Sequence, residues 1–407
     1  MFGQPAALAA PANPNNDYAV PSSPTDGVSQ LCFTPSNQFL VASSWASTLS
    51  CWETRVQEGL GGGQVAAQPR AQVQLAAPAL CCAASADSQT VFGGMGDGTV
   101  QMWRLGQQTA QAVGKHDAPV KSIFHVPEIN CVVTGSWDKT IRAWDLRQPN
   151  PAATIRLPER CYAMDCRHPL VVVGTAERKI CIYDLTSANW QNPYRVEDSP
   201  LRHQTRSIAA FPDRGGFAIG SVEGRVAIHH VDPKDAHRNF AFKCHRESTD
   251  GRAGQPGACD IYAVRATRAE TSVLAARRPS RSARRRPRRR AFWRTGVPEN
   301  FTTARFVQTQ VNAICFHHLG TFATAGSDGV FNFWDKDSKQ RLMAFKKADR
   351  PISCSAFNPA GNLYAYALSY DWSRGSESHS PNAPNTIMLH KVQKDEITQR
   401  NKKPGRK

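Results

Sequence analysis

The sequence predicts an all-β protein whose strands form seven four-stranded blades in a closed ring, a seven-bladed β-propeller. Three observations predict this fold. A hairpin unit recurs along the chain, each copy closes on an aromatic residue or a histidine, and most of these closing positions are separated by roughly the 40 to 45 residues that a four-stranded blade requires. This repeat favours one radial domain over the two or three ordinary domains that 407 residues could hold.

The cleanest copy of the unit is Thr134 to Leu146, TGSWDKTIRAWDL. A short apolar run precedes the polar turn Trp137-Asp138-Lys139, and after the turn Ile141 and Ala143 alternate with polar residues. This pattern indicates two short strands around a tight turn, which is one hairpin of a blade.

Six hairpins of this kind follow one another, and a looser seventh is formed by Leu363 to Asp371 and Thr386 to Val392. The first four steps between closing positions are 51, 41, 39 and 46 residues, whereas the fifth step is 105 and indicates an inserted segment. The closing positions are Trp52, Trp103, Trp144, Tyr183, His229 and Trp334.

The last blade shows three strands only, while Asp17 to Val20 offers an extra strand at the beginning of the chain. Pairing of this N-terminal strand with the last blade would close the ring and remove two exposed sheet edges. The sequence therefore predicts a disordered leader over residues 1–16, a propeller over residues 17–392 and a basic tail over residues 393–407.

The net charge of +17 is concentrated in two segments. Residues 265–311 contain thirteen arginines and two acids, and residues 391–407 contain seven basic residues and two acids, which leaves about +1 for the remainder. Because the folded body is nearly neutral, a nucleic-acid-binding face would be a local patch rather than a general property of the surface.

The Arg-rich segment 265–311 is predicted to be a disordered insertion in the sixth blade, because its charge and its Arg/Ala/Pro/Ser bias exclude a packed core. It interrupts one strand, since Asp260 to Val264 would otherwise join Asn312 to Phe316. Three interpretations remain open: a loop for nucleic-acid binding or nuclear localisation, a solvated insertion without function, and translated non-coding sequence.

The third blade contains a Ser/His/Asp set that could be catalytic or structural. We interpret it as a hydrogen-bonded staple that satisfies buried polar groups, because no GxSxG elbow is present in the sequence. No metal-ligand spacing, carboxylate pair or nucleotide loop was found, so we expect a non-enzymatic protein without cofactor or metal. The predicted staple residues are His116, Ser136, Asp138 and Trp144.

The twelve cysteines lie mostly in apolar strand patterns, and no pair has CxxC spacing, so we expect reduced core residues. No stretch reaches the roughly 20 apolar residues of a membrane helix, and no membrane insertion is expected. The first residues do not form a convincing secretion signal, which favours a location inside the cell.

Several strings resemble one family more specifically than a generic propeller, the WD-repeat messenger-RNA export factors of the nuclear pore. The resemblance extends over nearly all of residues 17–403 apart from the insertion. It departs from the family over Gln64 to Ala84, where the histidine before the second blade is missing, so the staple of that blade is in doubt. The matching strings include KHDAPVKSI, TGSWDKT, LPERCYAMD, SVEGRVAIHHV, NFAFKCHR, GSDGVFNFWDKD and SYDWSRG.

The resemblance implies an adaptor that binds the GLEBS segment of a Gly-Leu-Phe-Gly-rich nucleoporin and acts in messenger-RNA export. It implies binding of single-stranded RNA or ribonucleoprotein and, from the related mitotic-checkpoint propeller, a role with spindle proteins. The implied locations are the nucleus, nuclear pore and nuclear envelope, with shuttling to the cytoplasm. The implied assembly is a monomeric propeller within a hetero-complex.

The family's binding face can be transferred to matching residues of this sequence. Cations there would contact phosphate oxygens, and an exposed Phe242 would stack on a base or fill an apolar pocket of a partner. Lys339 and Arg341 correspond to basic residues directed toward the acidic partner segment. The remaining transferred residues are Arg225, Phe242, Lys243, Trp334, Asp335 and Lys336.

Two alternatives remain at the sequence level. Trp144, Asp145 and Arg147 fit the WDxR motif of substrate receptors of cullin-type ubiquitin ligases, although the blade itself requires half of this motif. The other alternative is a checkpoint scaffold that does not bind RNA.

Overall fold

A computed structural model describes residues 13–57, 64–187, 190–245, 309–380 and 383–398. These residues form seven antiparallel sheets of four strands each, which confirms the predicted seven-bladed propeller. Within each sheet the strands follow chain order, except in the seventh.

Blades one to three occupy the first part of the chain. Blade one contains β2 to β5, blade two β6 to β9, and blade three β10 to β13. Their bounds are Val28–Phe33, Phe39–Ser44, Thr48–Val56 and Val65–Gln74; Ala79–Ala84, Thr90–Met95, Thr99–Arg104 and Gln111–Lys115; Val120–Val126, Cys131–Ser136, Thr140–Asp145 and Ala153–Arg156.

Blades four to six follow with the same organisation, β14 to β17, β18 to β21 and β22 to β25. Their bounds are Cys161–Arg167, Leu170–Thr175, Lys179–Asp184 and Arg195–Asp198; Thr205–Ala210, Gly216–Ser221, Arg225–His230 and Phe240–Lys243; Val311–Phe316, Thr321–Gly326, Phe331–Asp335 and Gln340–Ala344.

The seventh blade joins the two ends of the described chain. Its first three strands are β26 (Ile352–Phe357), β27 (Leu363–Leu368) and β28 (Thr386–Lys391). The fourth is β1 (Tyr18–Ala19), which pairs with β28 so that Tyr18 faces Leu389. The predicted closure by an N-terminal strand is confirmed. Helices in the described residues are short: 3-10 turns at Pro127–Ile129, Pro233–Arg238 and Ser376–Ser378, and α1 at Lys394–Ile397.

The predicted closing residues occupy one equivalent position on the third strand of each blade. Trp144 faces Val132 across the strand pair, and Trp334 faces Phe322 in the same register. The same register in the seventh blade places His390 opposite Tyr364. His390 is therefore the seventh closing position, which the irregular last hairpin hid in the sequence.

The apolar core is divided among the boundaries between blades. The residues that the structure describes form seven clusters of buried side chains, and each cluster joins two neighbouring blades. Trp52 and Trp103 are fully buried in such clusters. Because every blade completes its core only against its neighbours, the ring is stable as a unit.

The structure shifts the expected limits of the insertion and of both terminal segments. Val311, which the sequence assigned to the insertion, begins β22, and Thr309 is already buried. In the expected tail, Ile397 of α1 is buried, and in the expected leader the Asn15 amide donates to the Lys346 carbonyl. These residues pack on the propeller, whereas Asp260 to Val264 lie outside the described residues.

The cysteines of the described residues are all free, and most are buried in strands, as predicted. Burial raises the pKa of the Cys51 thiol to about 12 and that of Cys161 to about 12. These thiols act as small apolar core groups.

Candidate functional site

The predicted hydrogen-bonded staple of the third blade is present, but one member differs. The imidazole of His116 lies 2.8 Å from Asp138 Oδ2 through Nδ1 and 2.7 Å from Thr134 Oγ1 through Nε2. The indole of Trp144 donates to the same Thr134 oxygen at 2.8 Å. The hydroxyl that joins histidine to tryptophan therefore belongs to Thr134.

Ser136 has a different task from the predicted one. Its hydroxyl donates to the carbonyls of Ala118 and Pro119 at 2.9 and 3.0 Å, and it accepts the backbone N–H of Asp138. The prediction of Ser136 as a member of the staple with His116 and Trp144 is wrong, because its hydroxyl fastens the turn to the preceding loop.

The staple is a network of side chains that are closed off from solvent, with His116 0% and Asp138 5% exposed. His116 and Thr134 are buried. Burial alone would raise the pKa of Asp138, but hydrogen bonds from His116 and Thr140 outweigh it and hold that pKa well below its usual range. An ionised carboxylate with all its partners in the blade serves packing, in agreement with the structural interpretation.

A second complete staple lies in the sixth blade. His245 Nδ1 is 2.9 Å from Asp328 Oδ1, His245 Nε2 is 3.0 Å from Thr324 Oγ1, and Trp334 donates to Thr324 at 2.9 Å. The Thr309 hydroxyl donates to the His245 carbonyl at 2.5 Å. Sequence reasoning missed this staple because 79 positions separate His245 from Thr324.

The second blade lacks this network, as its divergent sequence indicated. Gly93 stands at the position that Thr134 and Thr324 hold in their blades, two residues beyond the partner of the closing tryptophan. The indole of Trp103 donates instead to the carbonyl of Gln107 at 2.8 Å.

The two aromatic residues transferred from the family are buried in this protein. Phe242 is 3% exposed and Trp334 is 3% exposed, and their ring centroids lie 4.6 Å apart. Phe242 also packs against Phe240 and Phe322. The expectation of an exposed Phe242 that stacks on a base is wrong, because the neighbouring blade covers this face of β21.

Asp335 and Lys336 of the Trp-Asp-Lys ending both bind groups of the protein itself. Asp335 accepts the backbone N–H groups of Asp337 and Ser338 and so closes the turn after β24. The ammonium of Lys336 lies 3.0 Å from Asp337 Oδ1, and its side chain is 6% exposed. Lys336 is therefore a paired, largely buried cation rather than an open phosphate contact.

Lys339 and Arg341 remain at the surface beside this ending. The Lys339 ammonium lies 4.9 Å from the Phe240 ring centroid, and the Arg341 guanidinium carbon lies 5.9 Å from the Trp334 ring centroid. Both residues are half-buried. The charged group of each residue thus lies over an aromatic face, and both residues keep part of their surface exposed to solvent.

Arg225 and Lys243 belong to blade five, and they lie on the face of the ring opposite to the turn that follows β24 of blade six. They face each other where β20 begins and β21 ends. Arg225 Nε is 3.4 Å from Glu223 Oε2, and its side chain is 30% exposed. Corresponding strands of successive blades run in the same direction, so the structure separates this pair from Lys336, Lys339 and Arg341.

A face that sequence reasoning missed carries large exposed aromatic residues. Trp45 and Trp137 stand in the turns between the second and third strands of blades one and three, and Trp372 stands in the corresponding loop of blade seven. They are 47%, 40% and 52% exposed. Polar turn residues around each tryptophan masked this signal in the sequence.

A cavity of about 520 Å³ opens on the same face between blades six, seven and one. Its wall includes Tyr370, Trp372 and His379, with the Trp372 and His379 rings stacked at 4.8 Å. Trp45 adjoins the cavity through Gly27. Charged groups of both signs complete the wall: Asp26, Asp328, Asp349, Lys347, Arg350 and Arg374.

Comparison with known proteins agrees with the repeat seen in the sheets. The family described as WD domain, G-beta repeat matches residues 18–53, 108–145 and 302–335. Among solved structures, the WD40 β-propeller domain of Doa1 aligns with a TM-score of 0.60 at 12% identity and covers 94% of this chain and 98% of that chain. This likeness concerns the fold.

Relatives that match nearly the full length of the chain identify its family. Protein RAE1 of Arabidopsis thaliana is 40% identical over 97% of this chain and 96% of its own length. The Poly(A)+ RNA export protein of Schizosaccharomyces pombe is 38% identical over 95% and 94%, and the mRNA export factor of Xenopus tropicalis is 40% identical over 96% and 93%. The chain belongs to this family of WD-repeat mRNA export factors. It is a family of adaptors rather than enzymes.

The residues of the WDxR motif, Trp144, Asp145 and Arg147, make structural contacts within the third blade. Trp144 is buried in the staple, and Asp145 is buried beneath Arg147, whose guanidinium donates to it at 2.9 and 2.7 Å. No contact among these residues favours the ligase-receptor hypothesis, which stays a prediction.

Within the ranges that the structure describes, no group of three His, Cys, Asp or Glu side chains is arranged to hold a metal ion. Over the same ranges, no helix has the length and apolar character needed to cross a bilayer.

Proposed function

We propose that this protein is an adaptor in messenger-RNA export that binds a nucleoporin GLEBS segment and single-stranded RNA. Its full-length relatives carry the names of mRNA and poly(A)+ RNA export factors. The observation that carries the proposal is the concave aromatic face next to Trp45 and Trp372 on a propeller of this family.

The nucleoporin segment binds on that face. Exposed tryptophans beside a cavity are typical anchors of a protein interface, because they bury a large area at a small cost in conformational entropy. The mixture of acids, bases and aromatic rings around the cavity suits a peptide, which presents backbone groups together with apolar side chains.

Substitution of Trp372 by alanine tests this interface by calorimetric titration with a synthetic GLEBS peptide. We expect the dissociation constant to rise at least about tenfold, as for a central aromatic anchor. Tyr194→Ala is the matched control, since Tyr194 is 62% exposed on the fourth blade and remote from the cavity. Equal affinities of the Trp372→Ala variant and the native protein would reject this docking face.

RNA binding involves the surface cations beside the Trp-Asp-Lys ending. Lys339 and Arg341 are accessible there, and Arg225 and Lys243 form a second basic position at the other end of the preceding blade. Contacts to phosphate oxygens need no exposed aromatic ring, so buried Phe240 and Trp334 act as the platform under Lys339 and Arg341.

Charge reversal tests the RNA surface. Lys339→Glu with Arg341→Glu should weaken binding of a single-stranded oligonucleotide and reduce the slope of log affinity against log salt by about 0.7 for each lost phosphate contact. Lys115→Glu on the second blade is the control for net charge. A salt slope equal to that of the native protein would contradict the proposal.

The same function places the protein in the nucleus, at the nuclear pore and nuclear envelope, with shuttling to the cytoplasm. A fluorescently tagged protein should label the nuclear rim, and Trp372→Ala should disperse it. Rim labelling that survives this substitution would separate localisation from the aromatic face. The spindle role stays a prediction from the resemblance.

A further inference from the structure

The innermost strands of all seven blades carry a β-bulge at the same place. These strands contact one another around the axis of the ring. In each of them the pairing register shifts next to the first residue and leaves one extra residue at the end of the central channel that adjoins the exposed tryptophans. The seven extra residues are Ser29, Leu80, Lys121, Tyr162, Arg206, Asn312 and Ser353.

Three of these bulge residues fasten neighbouring blades together. Asn312 donates to the Ile352 carbonyl at 2.9 Å, and Ser353 donates to the Val28 carbonyl at 2.7 Å. Ser29 donates to the Ala79 carbonyl at 2.6 Å. Each bond runs from one bulge to the residue before the bulge of the next blade, so short polar side chains suffice at this position.

Blade two carries the apolar Leu80 at this position, and blades three, four and five depart from the rule with long side chains that end in a polar or charged group. Lys121, Tyr162 and Arg206 occupy the bulges there, and in the described part of the chain Lys121 and Arg206 have no hydrogen bond or ion pair. Burial lowers the pKa of Lys121, and the positive charge of Arg206 lowers it further. Two cations thus lie close together, although neither of them makes the hydrogen bond to the next blade that Ser29, Asn312 and Ser353 make.

Both cations line one cavity of about 270 Å³. Arg160 adds a third positive charge, and Trp137 and Tyr162 form an aromatic wall with ring centroids 6.4 Å apart. No carboxylate is among its lining residues. Asp371 exerts an attraction on Arg206, but its carboxylate already accepts hydrogen bonds from Asn312 and Ser373.

An independent feature of the same cavity is an unsatisfied hydroxyl. Thr205 lines the cavity, is 1% exposed, and its Oγ1 has no hydrogen-bond partner. A buried hydroxyl without a partner is unfavourable unless a ligand or water satisfies it. Because this Oγ1 atom is itself closed off from solvent, the feature of the cavity that is open to a ligand is its uncompensated positive charge.

We propose that this channel mouth between blades three, four and five binds a phosphate monoester. Lys121 and Arg206 contact the phosphate oxygens, and Trp137 with Tyr162 covers the substituent. Because the cavity lies at the lower limit of small-molecule sites, the substituent is small. The site is separate from the 520 Å³ cavity and does not depend on the proposed export function.

Titration of the full-length protein with phenyl phosphate, followed by calorimetry, tests the proposal. We expect saturable binding, and a rise of about tenfold or more in the dissociation constant for Lys121→Met and for Arg206→Gln, since each removes a charge-assisted contact. Lys179→Met removes a charge from the exposed start of β16 and should leave the dissociation constant unchanged.

Thermal melting without ligand distinguishes a binding role from a structural one. Lys121→Met relieves repulsion and should keep or raise the melting temperature, whereas a structural lysine would lower it on removal. A phosphothreonine tripeptide serves as a second probe, and the tighter of the two esters identifies a free metabolite or a modified side chain as the source. The proposal is overturned if the native protein binds neither ester saturably, or if binding persists unchanged in both variants.

Discussion

The closure of the ring depends on a buried charged cluster around His390, and its removal gives the sharpest test of the fold. His390 Nδ1 lies 2.7 Å from Asp17 Oδ1, and Nε2 lies 3.0 Å from Glu396 Oε2. The Tyr366 hydroxyl donates to the other oxygen of Asp17 at 2.7 Å. One imidazole therefore joins the first strand, the last strand and α1.

The protonation of His390 sets the size of the effect. Burial alone would lower its pKa, but hydrogen bonds to Asp17 and Glu396 outweigh burial and raise the pKa to about 9 from the ordinary 6.5. The change corresponds to about 3 kcal/mol of preferential proton binding by the folded state. This stabilisation is complete below pH 6.5 and is lost as the pH rises to about 9.

Substitution of His390 by glutamine removes this titration. The free energy of unfolding, measured by urea denaturation, should differ between native and variant protein by about 3 kcal/mol more at pH 6 than above pH 9. Loss of ring packing against Phe331 and Phe345 lowers the variant's stability equally at every pH, so only the pH-dependent part reports the cluster.

A paired comparison in α1 isolates the carboxylate. Glu396→Gln should destabilise the protein, whereas Asp395→Asn removes the same charge from the exposed neighbour and should change little. A stability difference between native protein and His390→Gln that stays constant from pH 6 to pH 9.5 would refute the charged cluster.

Three further predictions concern the staples, the insertion and the N-terminal strand. Thr134→Val leaves two buried partners unsatisfied and should lower the free energy of unfolding by about 2 to 4 kcal/mol, more than Ser136→Ala; the reverse order in urea denaturation would restore Ser136 as the link. Replacement of residues 246–308 by a short linker should leave the melting temperature unchanged, because His245 and Thr309 are hydrogen-bonded; a clear fall would contradict this expectation. Deletion of residues 1–20 removes β1 and Asp17 and should lower the melting temperature, and an unaltered value would reject the closing role of this strand.

The repeat could be predicted from the sequence because the closing residue marks a fixed register. Trp144 and Trp334 identify their blades because a tryptophan precedes an aspartate at the closing position. Tyr183 and His229 are identified by the number of residues that separate them from the preceding closing position. His390 was not predicted as a closing residue, because a long loop separates the two strands of the last hairpin. Its pairing with Tyr364 shows the register only in the structure.

The staple shows a limit of pattern reasoning. Thr134 and Ser136 lie on the same face of β11, so alternation does not distinguish them. The distance along the strand decides which hydroxyl joins the staple. Trp144 pairs with Val132, and its indole reaches Thr134, two residues further along β11, but not Ser136. His245 posed a different difficulty, since its partners follow only after the long insertion.

The burial of Phe242 has a signal in the sequence of its own strand. In FAFK, Phe240 and Phe242 alternate with Ala241 and Lys243, and this pattern indicates one buried face on β21. Burial of Lys336 had no such signal, because the ring of Phe211, 5.3 Å from its ammonium, belongs to the preceding blade.

The pairing of Tyr18 with Leu389 imposes an order on biosynthesis. During translation the first strand leaves the ribosome long before its partner exists, so the nascent ring stays open while the blades between them form. Contacts of such sequence separation form slowly and leave sheet edges exposed to aggregation in the meantime. The four-stranded sheet of the seventh blade can thus be completed only after β28 has been translated.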